Sequence, residues 1–376
     1  MSSMALSLGE PMAAPLQRIV IRGFKSIREC SLDLRQLTLL IGGNGSGKSN
    51  FVQVFGLLHE VVSQRLQAFA LREGGPESLL HFGQKTTEHV AIDLVFGPNA
   101  YRLILAPTQG DSLFVKEELC YYWGPGQSRP YTEPLGTAHA ESQLQTEAFR
   151  QPGKVASYVL DSISSWRVYH FHDTSPASKV KQLCDIGDNA VLRKDAGNLA
   201  AFLLRLRDTA LPQYTQIVST IRKVAPFFLD FQLREVPGSP GKTRLEWQEK
   251  GADSYFSGHS FSDGTLRFIC LATLLLQPNL PATILLDEPE LGLHPYAIHV
   301  LAGLLRAASH RTQVIVSTQS VTLVNQFEPA DILVVERSGG ASTFRYMSEP
   351  EVSEWLNDYG LGDLWEKNVL GGRPSA

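Results

Sequence analysis

The chain has 376 residues, of which 43% are hydrophobic and 19% charged, so it can bury a large core and is unlike a disordered or low-complexity protein. Its formal net charge is -4, which excludes the strongly basic balance of a dedicated nucleic-acid binder. The 4 cysteines show no CxxC spacing, which disfavours a zinc or disulfide framework and fits a reducing compartment, so we expect a cytoplasmic protein.

The sequence predicts neither a secretory signal nor a membrane helix. The stretch 1–15 contains Glu10 and no Lys or Arg ahead of its short apolar pieces, unlike a secretory signal. The longest apolar run, residues 268–276, is about half the roughly 20 residues that a membrane helix needs. We therefore expect no membrane contact.

The first predicted elements are strands over 19–21 and 37–41, a glycine cluster, and a helix over 51–62. Turn residues then separate three β-rich runs, as in an antiparallel meander, at 90–96, 101–105 and 113–122. From 124 to 153 periodicity fades, which predicts a surface excursion.

Helical spacing returns after Asp195, which is the predicted cap of a first helix. Two successive helices are predicted from their apolar faces. The face of the first helix is formed by Leu199, Phe202, Leu203 and Leu206, and that of the second by Tyr214, Ile217, Val218 and Ile221. Helices and strands then alternate, as in a parallel sheet covered by helices, at 264–276, 283–286, 295–308, 314–317 and 332–335.

A complete G-x-x-x-x-G-K-[ST] motif lies between the strand at 37–41 and the helix that follows it. Its glycines allow successive backbone N–H groups to turn toward phosphate oxygens at a helix N-terminus. Lys48 is expected to contact the β- and γ-phosphates, and the Ser49 hydroxyl to bind Mg²⁺. The predicted nucleotide-binding residues here are Gly42, Gly43, Asn44, Gly45, Ser46, Gly47, Lys48, Ser49 and Asn50.

A second motif is the apolar strand at 283–286 that ends in the adjacent carboxylates Asp287 and Glu288. Beside a phosphate loop, Asp287 is expected to hold the Mg²⁺ shell and Glu288 to act as the catalytic base on the attacking water. Alone, two solvated acids capping a helix would be the simpler interpretation. With the phosphate loop present, we favour the catalytic one.

A third motif, Ser262-Asp263-Gly264, opens the apolar helix shortly before the Asp-Glu strand. In this order the three motifs resemble the ABC-type ATPase head of the RecF, SMC and OLD group, an AAA_21-like AAA family ATPase. Residues 21–27 and 288–295 resemble the opening strand and the D-loop of such heads. A Ser-Asp-Gly before a helix is by itself most often an N-cap.

The resemblance implies an α/β P-loop NTPase fold, an ABC-type head with an antiparallel β subdomain and an inserted helical lid subdomain. It implies ATP and Mg²⁺ as cofactors and a homodimer in which Ser262, Asp263 and Gly264 contact the nucleotide of the opposite copy. It also implies work on DNA or in antiviral defence, with a nuclease or Toprim-type effector from a neighbouring gene. The implied division of the chain is 17–123, 124–250, 251–345 and a helical tail at 346–376.

Two departures from the family pattern concern catalysis. Ser317-Thr318-Gln319-Ser320 places Gln319 where a switch histidine is usual, and because glutamine cannot become cationic we expect slow or partner-stimulated hydrolysis. Gln84 is the candidate Q-loop residue and metal ligand, with a plain loop glutamine as the alternative. The sequence after Gln319 has no Asp-x-Asp pair, so we expect any nuclease step to belong to another chain.

Two other functions stay open at this point: the ATPase subunit of a membrane transporter, and a nucleotide-gated scaffold with little turnover. Basic residues of the central region are either a solvated face or a DNA contact, Lys179, Lys181, Arg193, Lys194, Arg205, Arg207, Arg222 and Lys223.

Overall fold

The computed structural model describes residues 14–355 and 358–371, which divide into two compact units. The first unit contains residues up to 34 and 53–166, and the second contains 35–52 and the chain from 167 onward. Most of the stretch 1–15, for which no secretory signal is expected, and the end of the predicted tail lie outside the described residues. The four-part division inferred from the sequence stays a prediction.

Both units contain strands and helices. The strands are β1 (Arg18–Phe24), β2 (Ile27–Asp33), β3 (Leu37–Ile41), β4 (Val90–Phe96), β5 (Asn99–Pro107), β6 (Leu113–Tyr122), β7 (Tyr131–Gly136), β8 (Trp166–Tyr169), β9 (Cys184–Asp185), β10 (Phe228–Phe231), β11 (Lys242–Thr243), β12 (Glu246–Glu249), β13 (Tyr255–Ser257), β14 (Thr283–Asp287), β15 (Gln313–Ser317), β16 (Ile332–Ser338) and β17 (Ala341–Tyr346). The α-helices are α1 (Lys48–Val62), α2 (Leu66–Arg72), α3 (Pro76–Leu79), α4 (Leu144–Arg150), α5 (Val155–Ser164), α6 (Leu199–Thr209), α7 (Leu211–Val224), α8 (Asp263–Leu276), α9 (Pro295–Ser309), α10 (Val321–Val324), α11 (Glu349–Val352) and α12 (Leu361–Glu366). Single 3₁₀ turns occupy Lys179–Lys181, Gly258–Ser260 and Pro329–Asp331.

The first unit is built on a 6-stranded sheet in the order β2-β1-β4-β5-β6-β7, and each neighbouring pair runs antiparallel. Its strands alternate buried and more exposed residues, as in a sheet with one face on a core. Inside it, the fully buried Glu118 carboxylate accepts hydrogen bonds from the Tyr101 and Ser142 hydroxyls, each at 2.5 Å, so this buried charge is fully engaged.

The second unit contains the 6-stranded sheet β17-β16-β3-β15-β14-β8. β3 is parallel to β15 and to β16, and β15 is parallel to β14, so the carboxyl ends of these strands meet at one edge. All of β3 is buried, as expected for a central strand of a parallel sheet. Ligands bind at this end of the strands in open α/β sheets, and two of the sequence motifs lie here, since the phosphate loop follows β3 and Asp287 ends β14.

Helix α8 lies in the interior of the second unit because it is apolar on all sides. Every residue from 266 to 276 is buried, as expected for a helix surrounded by core. α9 presents one buried stripe, Ala297, Ile298, Leu301, Ala302, Leu305 and Ala308. Each fully buried Leu or Ile contributes about 1.5–3 kcal/mol relative to its exposed state, so these helices fix the sheet edge firmly.

The predicted elements are largely confirmed, and the strands at 37–41, 90–96 and 113–122 have the expected bounds. The predicted α/β P-loop NTPase fold class is confirmed as well. Within the described ranges, every helix is too short or too polar to cross a bilayer.

Two predictions about local structure are wrong. Asn198, not Asp195, occupies the N-cap position of α6; the Asp195 carboxylate accepts from the Gly197 N–H at 3.0 Å and pairs with Lys179 at 2.9 Å. The region 124–153 is not only a surface excursion, since β7 and α4 lie in it. β7 pairs with β6 as the outermost strand of its sheet. This pairing is tertiary, and the exposed, proline-containing sequence of β7 does not predict it.

Candidate functional site

The phosphate-loop motif occupies the turn between β3 and α1, where the sequence predicts it. Gly45 has φ 76° and Gly47 has φ 114°, backbone conformations that favour glycine. A Cβ on Gly42 would lie 2.2 Å from the Val335 carbonyl oxygen of β16, so the start of the loop is packed tightly against that strand. The loop therefore depends on glycine for space at Gly42 and for backbone conformation at Gly45 and Gly47.

Lys48 is buried at the first position of α1, with 5% of its surface exposed. Its Nζ donates to the Gly42 carbonyl at 2.6 Å and to the Gly43 carbonyl at 3.1 Å, so the cation is held against the loop. Burial lowers the pKa of Lys48, opposed by the carboxylates of Glu288, Asp287 and Glu290. The lysine and these acids therefore share one electrostatic site.

Ser46 and Ser49 differ sharply in their surroundings. Among the described residues, the Ser46 Oγ is a buried hydroxyl without a hydrogen-bond partner, while its carbonyl accepts from the Ser342 Oγ at 2.5 Å. Ser49 is exposed in the first turn of α1. The loop thus offers one buried and one accessible hydroxyl, together with backbone N–H groups, to an anion and its metal ion.

Asp287 ends β14, and Glu288 follows it in an unusual backbone conformation. The φ of Glu288 is 44°, a left-handed value that costs a non-glycine residue about 1–3 kcal/mol and often marks a functional site. Its N–H donates to the Ser317 carbonyl at 2.8 Å, which extends the β14–β15 pairing by one bond. The bond to Ser317 stabilises this strained backbone conformation and helps to fix the direction of the Glu288 side chain.

Gln319 lies beside Glu288, as its proposed catalytic role requires. Its Nε2 donates to the Glu288 Oε1, and its backbone N–H donates to the Glu290 Oε1 at 3.2 Å. The Thr318 hydroxyl donates to the same Glu290 oxygen at 2.5 Å. The loop after β15 is thereby fastened to the Asp-Glu segment.

Glu290 is a site residue that the sequence interpretation missed. It is 8% exposed, and burial raises its pKa. Its Oε2 is a buried oxygen without a hydrogen-bond partner among the described residues. The spacing Glu288-Pro289-Glu290 was an available signal, because the second acid of such a pair lies next to the first along a short turn. Glu290 positions Gln319 rather than facing solvent.

The signature motif lies at the start of α8. The Ser262 Oγ caps the helix by accepting from the Thr265 N–H at 3.2 Å, so the N-cap interpretation is confirmed. Ser262 and Asp263 are exposed, whereas a Cβ on Gly264 would lie 2.3 Å from the Gly292 carbonyl oxygen. The helix start is therefore accessible at Ser262 and closely packed at Gly264.

Arg267, another missed residue, links the signature helix to two other segments. Its guanidinium donates to the carbonyls of Phe171 at 2.9 Å, His172 at 3.1 Å and Leu291. Burial lowers its pKa. Arg267 is an isolated charge in a largely apolar helix. That charge was the one sequence feature that could have indicated its bonds to buried backbone carbonyls.

Gln84, the candidate Q-loop residue, belongs to the first unit and lies in the segment between α3 and β4. Its backbone N–H donates to the Glu77 Oε2 at 3.0 Å. Its assignment as a metal ligand stays a prediction.

The AAA_21 family model, described as "AAA domain, putative AbiEii toxin, Type IV TA system", matches residues 37–325. The fold is similar to that in "Crystal structure of the SmcHead bound to the C-winged helix domain of ScpA", with 18% identity, a TM-score of 0.55, and coverage of 90% of this chain and 99% of that chain. It is also similar to the Smc head domain with an extended coiled coil bound to the C-terminal domain of ScpA derived from Pyrococcus furiosus, with 17% identity, a TM-score of 0.51, and coverage of 92% and 99%. No curated protein sequence matches the chain.

At these sequence identities, the two solved structures show only that the fold is similar. The family match spans more than half of the chain and covers the phosphate loop, the signature, the Asp-Glu strand and Gln319. The chain therefore belongs to the AAA_21 family of AAA domains, and it has the fold of an SMC head.

Proposed function

We propose that this protein binds ATP with Mg²⁺, hydrolyses it, and uses the cycle as a dimerising switch. The observation that carries the proposal is the meeting of Lys48, Glu288 and Gln319 at one sheet edge. The carboxylates of Asp287 and Glu288 act on the pKa of Lys48, and Gln319 donates directly to Glu288. A buried cation with a base and an amide donor nearby is what phosphoryl transfer to water needs.

The loop residues fit a triphosphate and its metal ion. Phosphate oxygens would replace the Gly42 and Gly43 carbonyls as acceptors for Lys48, and the buried Ser46 hydroxyl supplies a further donor. Ser49 and Asp287 would hold Mg²⁺, directly or through water. Bound Mg²⁺ neutralises charge on the phosphate oxygens.

For hydrolysis, Glu288 accepts the proton of the attacking water and Gln319 orients that water. The strained backbone at Glu288 and its bond to Ser317 fix the carboxylate before substrate arrives. Glu290 holds the Gln319 backbone in place from behind. Preorganisation of this kind lowers the barrier because the groups need not rearrange during the reaction.

The switch follows from the exposed signature. Ser262 and Asp263 at the N-terminus of α8 present a hydroxyl and helix N–H groups to an anion outside their own chain. A γ-phosphate held by Lys48 of one copy supplies that anion to a second copy, whereas ADP lacks it. Nucleotide state then shifts the monomer–dimer equilibrium by this difference in contacts.

We further propose that a partner effector, a nuclease or Toprim-type protein from a neighbouring gene, responds to the switch in antiviral defence or DNA repair. The description of the AAA_21 family names a toxin of a type IV toxin–antitoxin system, and the similar SMC heads are bound to ScpA, which supports a protein partner.

Direct DNA contact by the central basic residues receives less support. Several of these side chains already bond within the chain, as Arg193 does with Asp188 at 2.8 Å and Arg222 with the Leu229 carbonyl at 2.9 Å.

The test is Glu288→Gln in the full chain, with steady-state hydrolysis and sedimentation measured in ATP and Mg²⁺. Loss of the general base should lower the rate by about 100-fold or more, and the variant should accumulate as an ATP-bound dimer. Glu366→Gln, an exposed acid on α12, is the matched control and should behave as wild type.

The two alternative functions predict other results. A nucleotide-gated scaffold predicts equal, negligible turnover in wild type and Glu288→Gln, with the same oligomeric state in both. A transporter subunit predicts copurification with a membrane permease. Either result would contradict the proposed hydrolytic switch.

A further inference from the structure

The edge strand β8 ends beside the Asp-Glu strand and delivers two histidines that the nucleotide site does not explain. β8 neighbours β14 in the sheet, and the chain continues from it through His170, Phe171 and His172. Phe171 is buried between the two less buried histidines, because alternate residues of an extended chain face opposite sides. The histidines therefore share the other side.

The strand exit is held in place by Arg267. The guanidinium of Arg267 binds the carbonyls of Phe171 and His172, at 2.9 and 3.1 Å, so the backbone that carries both histidines is fixed to α8. A metal site needs this kind of support, because ligands on a mobile loop lose affinity through ordering.

One ligand atom from each of His170, His172 and Asp287 lies within 4.8 Å of the other two. The histidine rings are 6.1 Å apart between centroids and inclined by 34°. Zinc–nitrogen bonds are about 2.0–2.1 Å long, so small side-chain rotations would bring all three ligand atoms onto one ion. Three protein ligands also leave a position open for water.

The donor set differs from the one that Mg²⁺ prefers. Mg²⁺ takes oxygen ligands, whereas two imidazoles and one carboxylate suit Zn²⁺ and related transition metals. Asp287 is the residue that both kinds of ion would use. His170 is exposed and the other two are half-buried, so an ion can enter from solvent.

We propose that His170, His172 and Asp287 form a binding site for a transition-metal dication of the Zn²⁺ class. Metal bound there engages the Asp287 carboxylate and withholds it from the Mg²⁺ of the nucleotide, which lowers ATP hydrolysis. The inhibitory effect rests on the proposed function, while the metal site itself does not.

The site is tested by titrating Co²⁺ into the full, tag-free chain without nucleotide and following its visible d–d absorption. We expect one Co²⁺ per chain, displaced by Zn²⁺, and weaker binding by at least about 10-fold in His172→Ala, since loss of even an outer-shell partner costs about that much. His299→Ala, on the exposed face of α9, is the matched control and should bind as wild type. Equal Co²⁺ binding in wild type and His172→Ala would overturn the site, and His170→Ala provides a second variant should His172→Ala fail to fold.

The inhibitory effect is tested by the ratio of hydrolysis rates with and without Zn²⁺ at excess Mg²⁺. The Zn²⁺ concentration that halves this ratio should be at least about 10-fold higher in His172→Ala than in wild type and His299→Ala, in step with the loss of metal affinity. Equal inhibition of all three would mean that Zn²⁺ acts elsewhere and would overturn the inhibitory role. If no preparation hydrolyses ATP while Co²⁺ still binds in a His172-dependent way, the proposed function fails and the metal site stands.

Discussion

At the scale of single residues, the neutral amide of Gln319 contacts Glu288, the proposed catalytic base. Its Nε2 donates to the carboxylate that is proposed to accept a proton. A neutral amide donor orients the carboxylate, yet it cannot add the positive charge that an imidazolium would supply. We therefore expect slow hydrolysis by the isolated protein.

Gln319→Glu tests this contact with almost no change in shape. The substitution replaces the donor by a second carboxylate against Glu288, and like charges in contact raise the pKa of the pair. We expect hydrolysis at neutral pH to fall by about 100-fold and its pH profile to move to higher pH, because the base must lose its proton before it can act.

The control for this prediction is Gln326→Glu, which makes the same exchange at a glutamine that donates to the Thr322 carbonyl and not to Glu288. Its rate and pH profile should match wild type. Rapid turnover that is the same in wild type and Gln319→Glu would show that Gln319 takes no part in catalysis.

At the scale of elements, α8 and the D-loop segment that follows Glu288 meet without room for a side chain. A Cβ on Gly264 would lie 2.3 Å from the Gly292 carbonyl oxygen, a backbone atom that cannot rotate away. The contact joins the signature helix to the Asp-Glu segment, and Arg267 joins the same two segments through the Leu291 carbonyl. Nucleotide-dependent movement of one is therefore expected to carry the other.

Gly264→Ala should destabilise this junction by about 1–3 kcal/mol through overpacking. Thermal unfolding measures the effect, at about 2–4 °C per kcal/mol for a unit of this size. Gly303→Ala is the matched control on the exposed face of α9, where an added Cβ has nothing within 4 Å and should stabilise the helix slightly. Equal Tm values for the two variants would show that Gly264 is not closely packed.

The same elements show what the sequence can and cannot predict. β3 and α8 carry uniform apolar patterns, and the phosphate loop carries its own glycine spacing, so local residues suffice to predict them. β8 is only 4 residues long, and its place beside β14 depends on tertiary pairing. The roles of Glu290 and Arg267 depend on contacts made across the fold, which no local pattern encodes.

At the scale of the whole molecule, one copy of the chain supplies only part of the proposed site. Lys48 is buried against its own phosphate loop, whereas Ser262 is exposed at the start of a helix. In a head-to-tail pair related by a twofold axis, each of two equivalent sites takes the loop from one copy and the signature from the other. With a site shared in this way, we expect only the pair, and not a single copy, to hydrolyse ATP.

The shared site is tested by mixing two variants, each defective in a different part of the site. Lys48→Ala and Ser262→Arg should each be inactive alone, with folding checked by Tm because loss of the Ser262 cap costs about 0.5–2 kcal/mol. When equal amounts are mixed with ATP and Mg²⁺, about half of the random pairs combine one chain of each kind, and each of these has one intact site by symmetry. We expect recovery of up to about a quarter of wild-type hydrolysis on mixing, whereas a mixture as inactive as its separate components would show that the two copies do not share a site.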